Sequence, residues 1–479
     1  MVLRSAQEYI EGIGKIDSKI YLGGERVTDV LGHPTTKTVI QANAKVYELS
    51  QDPQYREIMT AKSDSTGELI SRNLHVCQNT KDLEMRAEMA LLTSQKLGTC
   101  NYRCPGCDVL NGLASITYEI DKDLGTEYYK RLMDFTRYLQ KNDLAMSGGV
   151  TDTKGDRSKR PLQQDPDMFL HIVEKKSDGI VVRGAKQHQS GAYASDETLV
   201  MPTLAYREGE EDYAVAFAVA NGTEGVTFIC QYNPYTVERN TEADIHQLGN
   251  PIYGQRETSL VVFDDAFIPW ERVFICGEVQ FTQRAVMRFA KMHRMNCGGA
   301  CKVGFADLII GATRMMTEFT GLAETAHIIT KLTRMAQISE TSHACAIAAA
   351  HKGTEEPEGS GIFLPDDLFG NVAKLNTCYG FWEIMALAGD IAGGLPVTMP
   401  SEKDLDNPEI GPYVEKYLKS AVSARKRMRL AKFIQNWVAG LHGVGTWQGA
   451  GSAEAQMLTL HRIFDFESRK AMAKELAGL

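Results

Sequence analysis

Residues 213–230 read Tyr-Ala-Val-Ala-Phe-Ala-Val-Ala-Asn-Gly-Thr-Glu-Gly-Val-Thr-Phe-Ile-Cys. Two short runs of β-branched and aromatic residues flank a turn signal at Asn221-Gly222, the pattern of strands rather than of a helix. The same texture recurs at Phe169–Val173, Ile180–Arg183, Leu199–Leu204, Ser259–Phe263 and Arg272–Cys276, with Ser177-Asp178-Gly179 as a further turn. This spacing predicts an antiparallel sheet or barrel, and we assign residues 143–278 to a central β domain.

Outward from this region the period changes. Asp52–Leu97 is rich in helix formers, with apolar residues three and four apart such as Leu83, Met85, Met89, Leu91 and Leu92, and Tyr128–Leu139 continues the pattern. Residues 1–142 therefore read as an N-terminal helical domain. Beyond Gln280 the helical period returns: Ala323–His351 and Tyr413–Leu441 are each long enough to cross a bundle, and Gly393-Gly394 before Pro396 marks a break. Residues 279–479 read as a C-terminal helical bundle. The order helical, β, helical predicts an α+β chain that packs as one subunit, and the apolar Ala344–Ala350 stretch predicts a dimer or tetramer.

Composition narrows the function. The chain has 479 residues, 43% of them hydrophobic and 24% charged, with a net charge of −9. Usage is that of an ordinary globular protein, which excludes a disordered or fibrous chain. A pI near 5.8 lacks the basic surface that nucleic acid requires. Apolar stretches such as Tyr213–Ala220 and Phe305–Ala312 are shorter than the roughly 20 residues a membrane span needs, and Met1–Lys15 has no signal-peptide core, so a soluble cytoplasmic protein is expected.

Chemistry concentrates in the ten cysteines. Cys77, Cys230, Cys276, Cys345 and Cys378 are scattered and read as small buried hydrophobes. The other five crowd into Cys100-Asn-Tyr-Arg-Cys104-Pro-Gly-Cys107 and His293-Arg-Met-Asn-Cys297-Gly-Gly-Ala-Cys301. Spacings of four place two donors on one face of a helical turn, so two half-sites for a metal or cluster are implied. Zinc is the competing metal, although structural zinc sites favour small ribbon-like modules. Cys-x-x-x-Cys-x-x-Cys also matches the cluster motif of radical enzymes that cleave S-adenosylmethionine. Helices rather than a first barrel strand precede it here, and Gly106 stands where those enzymes carry an aromatic residue.

Several stretches resemble the 4-hydroxyphenylacetate 3-hydroxylase flavoprotein family and, within it, the 4-hydroxybutyryl-CoA dehydratase branch. They are Tyr-Glu-Leu-Ser-Gln-Asp-Pro-Gln-Tyr (47–55), Thr-Tyr-Glu-Ile-Asp (117–121), Thr-Asp-Thr-Lys-Gly-Asp-Arg (151–157), Asp-Gly-Ile-Val-Val-Arg-Gly-Ala-Lys (178–186), Cys-Lys-Val-Gly (301–304) and Asp-Ile-Ala-Gly-Gly-Leu-Pro-Val-Thr-Met-Pro-Ser-Glu (390–402). The resemblance implies an acyl-CoA dehydrogenase-like fold, FAD between the β domain and the bundle, a homotetramer, and an acyl-CoA substrate. In the dehydratase branch it implies a [4Fe-4S] cluster on Cys100, Cys104, His293 and Cys301. Such an enzyme dehydrates a 4-hydroxyacyl-CoA or isomerises vinylacetyl-CoA to crotonyl-CoA. One-electron flavin chemistry makes the β hydrogen acidic, and iron accepts the leaving hydroxyl. His293 then serves as base, with Glu257, Lys302 and Cys297 as further active-site positions. The flavin side is expected at Val150, Thr151, Asp152, Asp156, Lys186, His188, Gln189 and Ser190.

The chain also departs from that branch. Cys297 occupies the place of a Tyr that assists hydroxyl departure, and Ala300 is an additional residue before Cys301. No carboxylate precedes Gly-Ala-Gly-Ser at 449–452, where the branch carries a catalytic Glu; Glu454 is the nearest substitute. Cys107 or Cys297 could replace His293 on the fourth iron, and loss of Tyr and Glu could leave only the isomerase half-reaction. The alternatives are a reduced-flavin-dependent aromatic hydroxylase with structural cysteines, and a CoA- or flavin-binding protein without turnover.

Overall fold

The structure is a computed structural model that describes residues 3–232 and 249–479. Near the N-terminus, α1 (Ala6–Gly14) and α2 (Pro34–Gln51) flank a small strand pair, β1 (Lys19–Leu22) and β2 (Glu25–Arg26). Helices α3 (Thr80–Leu97), α4 (Cys104–Leu124) and α5 (Tyr128–Asn142) follow. The expected helical run from Asp52 is interrupted. Pro53 follows the end of α2, and Thr60–Lys62 (β3) pairs with Leu69–Ser71 (β4) before α3 begins behind its Asn79 cap.

Among the described residues the β region forms two main sheets, not one. Glu197–Val200 (β8) pairs with Val215–Ala220 (β9) and with Met146–Gly149 (β5), and Val273–Cys276 (β12) closes this four-stranded sheet. The six-stranded sheet contains His171–Lys175 (β6), Gly179–Ser190 (β7), Val226–Cys230 (β10) and Thr258–Pro269 (β11), with β1 and β2 added at one edge. The turn at Asn221-Gly222 thus sends β9 and β10 into different sheets. Buried Asn221 holds this crossover by donating to Ala192 O (2.6 Å) and Ser195 O (2.7 Å) while accepting from Thr198 Oγ1 (2.7 Å). Valines and phenylalanines of both sheets, such as Phe217 and Phe263, meet in one core.

The last third is helical: α6 (Val279–His293), α7 (Cys301–Phe319), α8 (Ala326–His351), α9 (Asp367–Ala392), α10 (Gly411–Leu418), α11 (Ala424–Val438), α12 (Leu441–Gln448), α13 (Ala453–Ile463) and α14 (Phe466–Ala477). The single helix expected over Tyr413–Leu441 is two, because Ser423 caps a new start and Lys419 ends α10 in an extended conformation. The alanine run in α8 also serves the interior: Ala346, Ala349 and Ala350 are buried within the chain, leaving Ile347 exposed. No helix among the described residues is long and apolar enough to cross a membrane.

Candidate cofactor and active site

Two backbone features bring the cysteine segments together. Cys104 is the first residue of α4, with Pro105 behind it, while Cys100 lies in the turn before the helix. The two thiols therefore do not share one helical turn, as their spacing alone predicts. Gly106 allows α4 to abut β5: a Cβ there would stand 2.4 Å from Met146 O. Cys107 faces away, its thiol donating to Arg72 O at 3.8 Å.

The second segment connects α6 to α7 through a π-helical turn, Arg294–Ala300. Hydrogen bonds of the i→i+5 type take one more residue into each turn, so the additional Ala300 is absorbed without breaking the helix. The glycines make room for this wider turn. A Cβ on Gly298 would come 2.9 Å from Lys374 Cβ, and one on Gly299 would come 2.9 Å from Ala346 Cβ.

Asp108 joins the two segments. Its Oδ1 accepts from Arg86 (2.8 Å) and Asn296 Nδ2 (2.8 Å), and its Oδ2 meets His293 Nδ1 (2.7 Å) and the Cys104 thiol (3.7 Å). The Arg86–Asp108 pair is wholly buried. His293 also stacks on Phe289, with ring centroids 5.0 Å apart.

Cys297 is the electrostatic centre of the thiols. Its sulfur lies 3.5 Å from Lys302 Nζ. Its charge is also felt by Cys100 and Cys104. The hydrogen bond from Cys301 outweighs burial, and with the charges of Lys302 and His293 it holds the Cys297 thiol well below its ordinary value. Burial opposes the imidazolium, but Cys297 and Asp108 overcome it and raise His293 to about 9. Burial pushes the Cys100 and Cys104 thiols up, and the hydrogen bond to Cys297 does the same for Cys301.

Glu257 and Arg256 approach from the lead into β11. Tyr102, between the two cysteines, receives a hydrogen bond from Glu257 N (3.2 Å) and donates to Gln255 O (3.3 Å). Glu257 is buried with Oε2 unbonded, and burial pushes its carboxyl up to about 8. Arg256 bridges Ser190 Oγ (3.3 Å) and Gly445 O (3.1 Å), so it connects the end of β7 to α12. Lys374 holds the same helix from below, donating to Thr446 O (2.9 Å) and Trp447 O (3.1 Å).

The expected flavin-side residues divide. Lys186 Nζ is spent on Val150 O (3.1 Å), Met201 O (2.9 Å) and Asp152, and Asp152 also accepts from Thr203 Oγ1 (2.7 Å) and Tyr206 (3.2 Å). Gln189 Oε1 receives Val150 N (3.2 Å), and Gln187 N donates to Thr151 O (2.9 Å). Exposed His188 sits at a left-handed φ of 64°, while Ser190 reaches Arg256. Asp156 stands apart in an exposed turn, bonded to Ser158. Glu454 lies exposed in the first turn of α13 and does not join the thiol site.

Sequence reasoning missed His442, which is buried on α12 with Nε2 unbonded. Burial, then the charges of Arg256 and Lys302, lower it to about 3, so it is neutral at physiological pH. It also missed Asp108 and Arg86. The one available signal was the acidic residue four positions after Cys104, on the same helical face.

Comparison with known proteins concerns the family and the fold. Family models for the N-terminal and C-terminal parts of 4-hydroxyphenylacetate 3-hydroxylase match residues 5–275 and 282–478. The chain is 40% identical to 4-hydroxybutyryl-CoA dehydratase/vinylacetyl-CoA-Δ-isomerase of Clostridium aminobutyricum, covering 100% of both. It superposes with a TM-score of 0.95 on an oxygen-tolerant archaeal 4-hydroxybutyryl-CoA dehydratase from N. maritimus, at 38% identity over 100% of this chain and 95% of that one. The FAD complex of the 4-hydroxyphenylacetate 3-monooxygenase oxygenase component gives 0.86 at 25% identity, covering 99% and 98%. Butyryl-CoA dehydrogenase from Megasphaera elsdenii, at 15% identity and 0.51 over 95% and 97%, shares the acyl-CoA dehydrogenase-like fold.

Proposed function

The chain belongs to the 4-hydroxyphenylacetate 3-hydroxylase family, and from that premise we propose an FAD- and [4Fe-4S]-dependent lyase/isomerase of the 4-hydroxybutyryl-CoA dehydratase type. It dehydrates a 4-hydroxyacyl-CoA or shifts the double bond of vinylacetyl-CoA to give crotonyl-CoA. The observation that carries the reading is that Asp108 joins Cys104 (3.7 Å) to His293 (2.7 Å) across the two cysteine segments, with Lys302 Nζ 3.5 Å from Cys297 Sγ. Identity supports it too, at 40% to the dehydratase against 25% to the FAD-bound oxygenase.

The donor chemistry fits the cluster. Thiolates and imidazole suit iron–sulfur centres, and each iron of a four-iron cluster takes its own protein ligand. Among the described residues no group of three or more His, Cys, Asp or Glu side chains is gathered to hold a metal ion. Cys100, Cys104 and Cys301 would hold three irons, with His293 or Cys297 on the fourth. The β7 end, from Lys186 to Ser190, and the Val150–Asp152 strand would flank FAD. When bound, FAD supplies one-electron chemistry to the acyl chain and iron supplies a Lewis-acid position.

The chain's own residues do the rest. Isomerisation removes a proton from C2 of vinylacetyl-CoA and returns one at C4. Glu257 keeps its proton at neutral pH and has a free oxygen, which suits the donor role. His293, fixed through Nδ1 by Asp108 and raised to about 9, carries a proton at neutral pH and takes the base role once that proton has been given up. Lys302 and Arg256 lend positive charge to the thioester oxygen. Arg256 and Lys374 hold α12 against the site and exclude water.

The test is anaerobic purification followed by turnover of vinylacetyl-CoA in deuterated water. Deuterium at C4 of crotonyl-CoA, with iron and sulfide in the protein, is expected. An iron-free protein that hydroxylates 4-hydroxyphenylacetate with reduced flavin and oxygen would overturn the reading.

A further inference from the structure

Helices α4 and α6 approach closely enough that a Cβ on Gly112 would stand 2.8 Å from Phe289 N. One turn away along each helix, the same approach sets Asp108 of α4 against His293 of α6, and the His293 ring stacks on Phe289. The Asp108 carboxylate cannot turn there. Its Oδ1 accepts from Arg86 Nη2 and Asn296 Nδ2, both at 2.8 Å, so Oδ2 is the oxygen that meets His293 Nδ1 at 2.7 Å. Arg86 and Asp108 are both fully shielded from solvent. A carboxylate paired with a guanidinium only accepts hydrogen bonds, so the proton in the His293 contact belongs to Nδ1, and Nε2 is the nitrogen left for other chemistry.

We propose that Asp108 is a positioning residue for the reaction: clamped by Arg86 and Asn296, it keeps a proton on His293 Nδ1 and leaves Nε2 to give up and take the moving proton. The inference rests on the reading that His293 is the base, and it adds which nitrogen works and which residues decide it. In the base step the C2 proton forms its new bond to Nε2, the electron pair of the broken C–H bond stays on the acyl chain, and the positive ring faces Asp108 through Nδ1.

Asp108→Asn reverses this arrangement with little change of shape. Arg86 and the Asn296 amide both donate, so they keep an oxygen at the Oδ1 position, and the new amide nitrogen takes the Oδ2 position and donates to Nδ1. A neutral ring must then carry its proton on Nε2, where it cannot accept another.

The experiment uses the full chain purified anaerobically with its cofactors and labelled with 15N-histidine. FAD content reports on folding. The His293 signals in solid-state NMR are identified by their loss in His293→Gln, and they show which ring nitrogen bears a proton. In wild type Nδ1 should bear one. In Asp108→Asn that proton should be gone, and kcat for vinylacetyl-CoA should fall about 10²–10⁴-fold while KM stays within about threefold. A wild-type Nδ1 without a proton, an Asp108→Asn ring that keeps its Nδ1 proton, or near wild-type turnover in that variant overturns the assignment. Should the single variant fail to fold, Arg86→Met combined with Asp108→Asn removes both buried charges, leaves Asn296 to hold the oxygen, and is read in the same way. Wild type without iron overturns the cluster reading instead, and the Nδ1 proton still decides the role of Asp108.

Discussion

The two sides of the site handle buried polarity in opposite ways. On the strand side, Asp152 and Lys186 are both nearly wholly buried, and each finds partners within the protein for its charge. On the thiol side, Glu257 Oε2, His442 Nε2, Arg256 Nε, Asn296 Oδ1 and two nitrogens of Arg86 are buried without a partner. Most buried polar groups in folded proteins are satisfied, so each of these open atoms calls for a partner. A self-satisfied ion pair builds a wall, whereas in the function proposed above the open atoms on the thiol side are left for cofactor and substrate.

The strongest test of this contrast is Asp152→Ala. It strands the Lys186 ammonium and removes the acceptor of Thr203 and Tyr206, so unfolding stability should drop by about 3–5 kcal/mol. Iron per folded chain should not change. If iron content falls in step with stability, the two sides are not separate.

Glu257→Gln should do the reverse. It keeps the shape and removes the proton-carrying carboxyl, so isomerisation should slow by about 10²–10⁴-fold while the melting temperature at pH 7 holds or rises. A variant with near wild-type turnover would remove Glu257 from the chemistry.

The same residue leaves a pH signature in stability. Its carboxyl is raised from 4.5 to about 8, so between these values the folded chain keeps a proton that the unfolded chain has lost. Stability should therefore fall as pH rises through that window, by on the order of a few kcal/mol in total. Denaturant titrations of Glu257→Gln should show a flatter slope, and an unchanged slope would contradict the burial argument.

The smallest effect is expected at the seam between the two sides. Ser190→Ala deletes one hydrogen bond from Arg256, which should weaken FAD binding or stability by only about 0.5–1.5 kcal/mol. A larger loss, read by flavin titration, would mark Ser190 as a direct flavin contact.

Much of the fold was legible locally. The seven strand runs occur in the structure with shifted ends, and Val226–Cys230 has the same limits. The helices over Tyr128–Asn142 and Ala326–His351 follow their apolar periods. The β3–β4 pair and the break after Leu418 were not legible, because turns and caps can interrupt good helix formers. The distribution of strands between two sheets depends on partners far along the chain, as with β1 beside β10.

Of the site, the sequence by itself determined which groups are available: five crowded cysteines, His293 and Lys302, with residues small enough at Gly298 and Gly299 to let helices close in. Side-chain type and short spacing determine donor chemistry without reference to the rest of the chain. Tertiary structure alone decided which of those groups meet. It turned Cys107 towards Arg72, set Lys302 beside Cys297, set Asp108 against His293, and carried Glu257 and His442 in from distant segments. The reason is physical: such contacts depend on helix packing and burial between segments, and no local pattern encodes a neighbour that arrives from elsewhere in the chain.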